Sequence, residues 1–198
     1  MPQIKLCGIK RECEIEWVNQ LEPEYIGFVF APKSKRYVTL KEAKKLKAML
    51  HHSIKAVGVF VDEEPDRIVE LVEQGIIDVV QLHGREEQAY LERLREKISV
   101  PIFQAFCIRD KRDILRAEKS SADMILLDAG TGCGACFDWR LLKDMKRNYF
   151  LAGGLTAENV TNAIKSLHPY GVDASSSLEI NGQKVKEKMQ AFVEACVE

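Results

Sequence analysis

The sequence predicts a (β/α)8 barrel, and three observations support this fold class. Eight short apolar runs rich in β-branched residues alternate with longer amphipathic runs, as strands and helices do around a parallel sheet. The C-terminal ends of the apolar runs recur at intervals of roughly 24 residues, about the length of one strand–loop–helix unit. The chain has 198 residues and no Pro-, Gly- or Ser-rich linker, which indicates a minimal single domain over residues 1–198.

The apolar runs are predicted to be parallel strands. Several of them, such as IGFVF and MILLD, are apolar at consecutive positions, as expected of strands that are covered on both faces. An open doubly wound sheet is the alternative, but LCGIKR stands after the first strand where G-x-G-x-x-G is expected. The predicted strands are Ile4–Cys7, Tyr25–Phe30, Ala56–Val61, Asp78–Leu82, Pro101–Phe106, Met124–Asp128, Tyr149–Ala152 and Gly171–Ala174.

The amphipathic runs are predicted to be helices. Leu40–Leu50 places leucines and alanine on one stripe and lysines on the other. Pro65–Gln74 begins with a proline and ends before Gly75, and Asp138 and Thr156 are suitable N-cap residues. The other predicted helices are Glu12–Gln20, Glu86–Lys97, Asp110–Lys119, Asp138–Arg147, Thr156–Leu167 and Lys184–Val197.

Composition and charge argue against several classes of partner. The 29 basic residues nearly balance the 30 acidic ones, for a formal net charge of -1, whereas nucleic acid or an anionic membrane normally calls for a basic face. No apolar run approaches the ~18 residues of a spanning helix, and the N-terminal MPQIKLCGIK lacks the apolar stretch of a secretory signal. We therefore expect a soluble, cytoplasmic protein whose six cysteines are free thiols.

The C-terminal ends of barrel strands are where catalytic residues are expected, and two such residues there suit proton transfer. Cys7 ends the first strand beside Gly8, and as a thiolate it can abstract a carbon-bound proton. Asp128 ends the strand MILLD across the barrel mouth, where desolvation favours the protonated form that a general acid needs. An inert buried cysteine and a loop-capping aspartate are the alternative interpretations. A facing acid and base predict an isomerase.

The loops after the seventh and eighth strands indicate a phosphate site. Gly153 and Gly154 in LAGGL precede a capped helix and allow backbone N–H groups to approach a ligand. Ser175 and Ser176 follow the next strand in DASSS, and barrels often hold a phosphate between these two loops. A tight turn and ordinary capping serines are the alternative interpretation.

Arg36 and His83 also follow strand ends. Arg36 in PKSKRY is expected to point inward, where its guanidinium can bind a carboxylate bidentately. His83 in QLHG is expected to contact substrate, with a core histidine as the alternative. The pair Cys133-x-x-Cys136 lacks a second pair of ligands at suitable spacing, so we expect no metal there.

A series of segments in order carries a resemblance to a known family: KLCGIKR (5–11), GFVFAPKSKRYV (27–38), VGVFVDE (57–63), VVQLHGRE (79–86), LLDAGTG (126–132), GACFDW (134–139), LAGGLTAENV (151–160) and GVDASSSLE (171–179). They resemble the phosphoribosylanthranilate isomerases of tryptophan biosynthesis over nearly the whole chain. GFVFAPKSKRYV together with QLHG is the most specific match, whereas AGGL alone fits many phosphate-binding barrels.

The resemblance implies a (β/α)8 barrel that converts N-(5-phosphoribosyl)anthranilate to 1-(2-carboxyphenylamino)-1-deoxyribulose 5-phosphate, an Amadori rearrangement without metal or organic cofactor. It implies that Asp128 protonates the furanose ring oxygen and that Cys7 then removes the C2 proton from the iminium. It leaves open whether the protein is a monomer or a homodimer, and whether neighbouring enzymes of the tryptophan pathway are partners.

The resemblance also implies how a phosphorylated substrate is held. Arg36 would bind the anthranilate carboxylate. Gly154, Ser175 and Ser176 would bind the phosphate. Asp173 and His83 would line the pocket near the reacting sugar.

The chain departs from the family pattern in three places. Ser177 stands where the family usually has glycine, and a positive φ there would strain a serine by ~1 kcal/mol. Lys10 replaces a usual threonine, and its charge would favour the Cys7 thiolate if it points inward. Cys133 and Cys136 occupy a loop that usually carries other small or polar residues.

Two other functions stay open from the sequence alone. One is another phosphosugar isomerase barrel, of the histidine-pathway or dual-substrate type, although Cys7 ends the strand where the histidine-pathway enzyme uses an aspartate. The other is a non-catalytic, phosphate-binding regulatory barrel, which would not need a matched acid and base.

Overall fold

The computed structural model describes residues 1–128, 138–143 and 145–197, and it confirms the predicted fold class. Eight parallel strands form a closed barrel in chain order, with β8 paired to β1. The strand ends agree with the predicted ones to within a few residues. The strands are β1 Gln3–Cys7, β2 Tyr25–Val29, β3 Lys55–Phe60, β4 Val79–Leu82, β5 Ile102–Cys107, β6 Met124–Asp128, β7 Tyr149–Leu151 and β8 Gly171–Ala174.

Helices surround the barrel and cover the outer face of its sheet. In α2 the predicted stripe is present, because Ala43 and Leu46 are its buried residues. None of the helices in the described part of the chain is long and apolar enough to cross a membrane. The helices are α1 Glu12–Leu21, α2 Leu40–Met49, α3 Pro65–Glu73, α4 Gln88–Arg95, α5 Lys111–Lys119, α6 Ala157–Leu167 and α7 Lys186–Val197.

The apolar core has two parts, because strand side chains alternate between the two faces of the sheet. One part lies between the strands and the helices and includes Leu6. The other fills the barrel lumen, where Val57, Phe103 and Phe150 pack. Since Cys7 belongs to the lumen cluster and Leu6 to the outer one, Lys5 faces the lumen as well.

The helix predicted over Asp138–Arg147 is wrong. Trp139–Leu142 form a short 3₁₀ turn, and residues 145–147 are not helical. Asp138 does act as an N-cap, accepting a hydrogen bond from the Arg140 N–H. The guanidinium of Arg147 donates to the carbonyls of Ser120 and Ala122, which holds the chain on a non-helical path.

A small hairpin was missed by the helix prediction Lys184–Val197. Glu179–Ile180 (β9) pairs with Gln183–Lys184 (β10), and α7 begins only at Lys186. The turn between them is Asn181–Gly182, with φ of 52° and 77°. Asn-Gly is the strongest short hairpin signal in a sequence, so this element could have been predicted.

Candidate active site

All nine predicted site residues line one cavity of about 460 Å³ at the C-terminal ends of the strands. They come from the ends of six strands and the loops after them, which closure of the barrel brings together. The nine are Cys7, Arg36, His83, Asp128, Gly153, Gly154, Asp173, Ser175 and Ser176. Their placement is as expected, and their chemical roles form part of the proposal below.

Cys7 lies at the bottom of the cavity and is only 7% exposed. Gly27 on β2 makes room for it, since a Cβ at Gly27 would come within 2.6 Å of the Cys7 Sγ. Burial raises the pKa of the Cys7 thiol, and the ammonium groups of Lys5 and Lys184 partly counter this rise. A thiol in this position therefore needs nearby cations to become a thiolate.

Lys5 and Asp173 form a buried ion pair beside Cys7. The two residues are direct register partners on β1 and β8, and the Lys5 Nζ lies 2.8 Å from the Asp173 Oδ1. Lys5 is fully buried. Burial lowers its pKa, but attraction to Asp173 and then to Cys7 outweighs this effect and raises the pKa. Lys5 is therefore held as a cation between two acidic groups.

His83 and Asp128 face each other on the other side of the cavity. The His83 Nε2 lies 3.8 Å from the Asp128 Oδ2. The Gln81 Nε2 donates to the His83 Nδ1 at 3.0 Å, so a neutral His83 carries its proton on Nε2, the nitrogen that faces Asp128. The Gln81 Oε1 is buried and has no hydrogen-bond partner among the described residues. This amide oxygen is available to a donor on a ligand.

Arg36 is held at the cavity wall by Glu179. Its Nε and Nη2 donate to the two carboxylate oxygens of Glu179. This contact uses the side edge of the guanidinium, and the end edge formed by Nη1 and Nη2 is turned away from Glu179. The arginine side chain crosses Gly8, where a Cβ would collide with it. The expected inward orientation of Arg36 is therefore present, with an acidic partner that the sequence analysis did not foresee.

Glu179 also binds Lys184, a buried residue of β10. The Lys184 Nζ lies 2.8 Å from the Glu179 Oε1 and donates to the Ser175 carbonyl at 2.9 Å. Burial would raise the pKa of Glu179, but hydrogen bonds from Arg36 and Lys184 lower it to about 2. The carboxylate thus stays ionised and links the loop after β2, the loop after β8 and the hairpin.

The two predicted anion-binding loops lie side by side. Gly153 and Gly154 both have positive φ, 79° and 70°, which glycine adopts without strain. The Asn159 side chain donates to the Gly154 carbonyl and accepts from the Thr156 N–H, which fixes this loop at the start of α6. The Ser175 Oγ donates to the Cys7 carbonyl at 3.0 Å and joins the loop after β8 to β1.

Ser177 does not have the positive φ that would strain a serine at this position. It lies in a 3₁₀ turn, Ser176–Leu178, and its φ is not positive. The Ser177 Oγ is buried, lines the cavity and has no hydrogen-bond partner among the described residues. The added hydroxyl is therefore an unpaired polar group beside the predicted phosphate site.

Lys10 does not point toward Cys7, so the condition for an effect of its charge on the thiolate is not met. Its Nζ donates to the Lys35 carbonyl at an exposed position. Cys133 and Cys136 lie outside the described residues. Within residues 1–128, 138–143 and 145–197 there is no cluster of three or more His, Cys, Asp or Glu side chains that could hold a metal.

Four residues that shape the site were given no role from the sequence: Lys5, Gln81, Glu179 and Lys184. Lys5 had a usable signal, because it is a charged residue inside an apolar strand and lies on the same face as Cys7. Gln81 stands at a strand end next to His83. Lys184 was hidden by the missed Asn-Gly hairpin, and for Glu179 no local signal indicated its partner.

Fold and site together define a class: a (β/α)8-barrel enzyme with its ligand cavity at the C-terminal ends of the strands. A family model described as N-(5'phosphoribosyl)anthranilate (PRA) isomerase matches residues 4–195. An N-(5'-phosphoribosyl)anthranilate isomerase from Endomicrobium trichonymphae is 43% identical over 194 residues, covering 96% of this chain and 95% of the relative. The chain belongs to the N-(5'-phosphoribosyl)anthranilate isomerase family.

Solved structures agree with this assignment. The phosphoribosyl anthranilate isomerase from Thermotoga maritima superimposes with a TM-score of 0.92 at 33% identity, covering 100% of this chain and 99% of that one. A phosphoribosyl anthranilate isomerase in complex with reduced 1-(o-carboxyphenylamino)-1-deoxyribulose 5-phosphate superimposes with a TM-score of 0.89, also at 33% identity and with the same coverage.

Proposed function

We propose that this protein converts N-(5-phosphoribosyl)anthranilate to 1-(2-carboxyphenylamino)-1-deoxyribulose 5-phosphate in tryptophan biosynthesis. The observation that carries the proposal is one cavity that combines a thiol and a carboxylic acid with an arginine and a pair of anion-binding loops. The substrate has a matching set of groups, since it carries a carboxylate at one end, a phosphate at the other and the reacting sugar between them.

Asp128 is the general acid of the proposed mechanism. Its side chain is 21% exposed and reaches the cavity from the end of β6. It protonates the furanose ring oxygen, so that the ring opens to an iminium. The Nε2–H of His83 faces Asp128 and can donate a hydrogen bond to a substrate oxygen placed between the two side chains.

Cys7 is the general base. Its thiolate removes the C2 proton and leaves an enolamine, which tautomerises to the ketone product. The iminium accepts the electron pair from C2, so this step needs no further electron sink. Because burial raises the pKa of Cys7, the base depends on the cations placed next to it.

Arg36 binds the anthranilate carboxylate through its end edge. The side edge is already occupied by Glu179, which fixes the direction in which the remaining N–H groups point. A bidentate arginine–carboxylate contact is charge-assisted and directional. The arginine therefore selects substrates whose carboxylate lies on the correct side of the ring.

The phosphate is held by the loops after β7 and β8. Gly154, Ser176 and Ser177 line this part of the cavity, and we assign the phosphate contacts to the backbone N–H groups of the first two and to the hydroxyl of Ser177. The Ser175 hydroxyl already donates to the Cys7 carbonyl, so Ser175 contributes its backbone N–H. An interaction with neighbouring enzymes of the tryptophan pathway remains a prediction from the sequence.

An enzyme assay tests the proposed substrate. Phosphoribosylanthranilate is generated in situ, and its fluorescence is followed after addition of the protein. We expect a loss that is faster than spontaneous breakdown, and borohydride should convert the product to its reduced form. Absence of any acceleration, together with turnover of the related aminoaldose of histidine biosynthesis, would assign the protein to the alternative isomerase instead.

A further inference from the structure

The buried group formed by Lys5, Cys7 and Asp173 contains one cation and two groups that can be anions. Lys5 and Cys7 lie two residues apart on the lumen face of β1, and Asp173 is the register partner of Lys5 on β8. Burial raises the pKa of both Cys7 and Asp173. The Lys5 ammonium donates to the Asp173 Oδ1, and its charge also favours the Cys7 thiolate.

Charge balance limits this group to one anion at a time. With the Cys7 thiol and the Asp173 carboxylate, the group is neutral. With the Cys7 thiolate, the Lys5 ammonium and a protonated Asp173, it is neutral again. With both anions it carries a net negative charge at a buried position, which is costly.

We propose that Lys5 is a positioning residue that pairs with either anion, so that the thiol proton of Cys7 passes through the Lys5 ammonium to Asp173. Lys5 gives one proton to the Asp173 Oδ1 and takes the proton of the Cys7 Sγ, and no charge enters or leaves the lumen. The resulting thiolate faces the cavity, ready for the C2 proton. This inference rests on the proposed role of Cys7 as the base.

Neighbouring elements modulate this exchange. Lys184 of β10 stabilises the Cys7 thiolate. As a carboxylate, Asp128 of β6 opposes ionisation of Asp173, whereas His83 after β4 favours it when it is an imidazolium. Once Asp128 has given its proton to the ring oxygen, it therefore promotes the state in which Asp173 holds the proton and Cys7 is the anion.

A titration of the Cys7 thiol without substrate tests the proposal. The rate of iodoacetamide labelling is measured against pH and read by mass spectrometry on the tryptic peptide that carries Cys7 as its sole cysteine. This peptide is LCGIK in the wild type, MPQIMLCGIK in Lys5→Met and LCGIMR in Lys10→Met. Thiolate absorbance in the ultraviolet, taken as the difference from Cys7→Ser, gives the same midpoint independently of reagent access. Neither readout needs catalysis, so failure of the proposed activity would be seen separately.

The two halves of the ion pair should shift the midpoint in opposite directions. Lys5→Met removes the cation and should move the midpoint up by about one to three pH units. Asp173→Asn removes the carboxylate that competes with Cys7 for the Lys5 ammonium, so the midpoint should fall by about one pH unit or more. Lys10→Met is the matched control, because it removes a lysine that contacts the Lys35 carbonyl instead.

Shifts in the same direction, or no shift in either variant, would overturn the proposal, since loss of a merely structural ion pair would disturb both variants alike. If circular dichroism shows that Lys5→Met does not fold, the nearly isosteric Asp173→Asn decides the question. An unchanged or raised midpoint in that variant would contradict the proposal.

Discussion

Arg36 makes one contact within the protein and, in the proposed function, a second contact with the substrate. Glu179 takes the side edge of its guanidinium, and the end edge points away from that carboxylate. A lysine has no such pair of edges, because its ammonium is a point charge on a flexible chain. In the proposed function, Glu179 therefore sets the direction in which Arg36 binds the substrate carboxylate, although Glu179 does not itself contact that carboxylate.

Arg36→Lys should raise KM for phosphoribosylanthranilate by about 10- to 100-fold, which corresponds to the 1.5–3 kcal/mol of a hydrogen bond to a charged group. Inhibition by inorganic phosphate, which has no carboxylate to bind, should stay unchanged. Steady-state kinetics and phosphate inhibition measure the two effects.

Lys35→Met is the matched control, since the exposed Lys35 also reaches Glu179, at 3.4 Å, but extends from the cavity wall into solvent. Its KM should stay near that of the wild type. A parallel loss of phosphate binding in Arg36→Lys would show that the arginine supports the whole site rather than the carboxylate.

Among the secondary-structure elements, the hairpin β9–β10 reaches the site through Lys184 and Glu179. Its Asn181–Gly182 turn places Lys184 under the loop after β8, where the ammonium binds the Ser175 carbonyl and Glu179. Lys184 is 2% exposed, so its position depends on the turn and not on solvent. Changes in the turn should therefore reach the phosphate loop.

Gly182→Ala tests this coupling. Gly182 has a φ of 77°, and alanine there costs about 1 kcal/mol or more. If this cost falls on the hairpin, inorganic phosphate should bind roughly fivefold more weakly, as measured by competitive inhibition.

Gly75→Ala has the same backbone cost at the end of α3, with a φ of 66° and open space around the new methyl group, as at Gly182. Both variants should lose a similar amount of thermal stability. Equal phosphate affinity in the two would disprove the link between hairpin and site.

For the whole molecule, closure of the barrel explains why the fold class and the location of the site could be predicted from the sequence. Strand periodicity locates the strand ends, and closure gathers those ends at one mouth, so Cys7, Asp128 and the two loops could be placed in a common site without knowledge of any contact. The helix predicted at Asp138–Arg147 was wrong because this segment depends on contacts with a distant part of the chain. Its path is fixed by hydrogen bonds from Arg147 to Ser120 and Ala122, which the amphipathic pattern does not show.

The partners that site residues contact across long distances in the chain could not be predicted from the sequence. Lys5 meets Asp173 across 168 positions, and Arg36 meets Glu179 across 143. A charged residue in an apolar strand indicates that a partner exists, because an unpaired buried charge is costly. Nothing in the local pattern says which carboxylate it is.

The central claim is that Cys7 is the base and Asp128 the acid of one isomerisation. The most direct measurement compares the single-turnover rate of phosphoribosylanthranilate loss in the wild type, Cys7→Ser and Asp128→Asn, with Cys13→Ser, a thiol on α1 outside the cavity, as the control. Each site variant should lose about 10²- to 10⁴-fold in rate, while the control keeps the wild-type rate. Near-wild-type rates in both site variants would contradict the mechanism even if the protein catalyses the reaction.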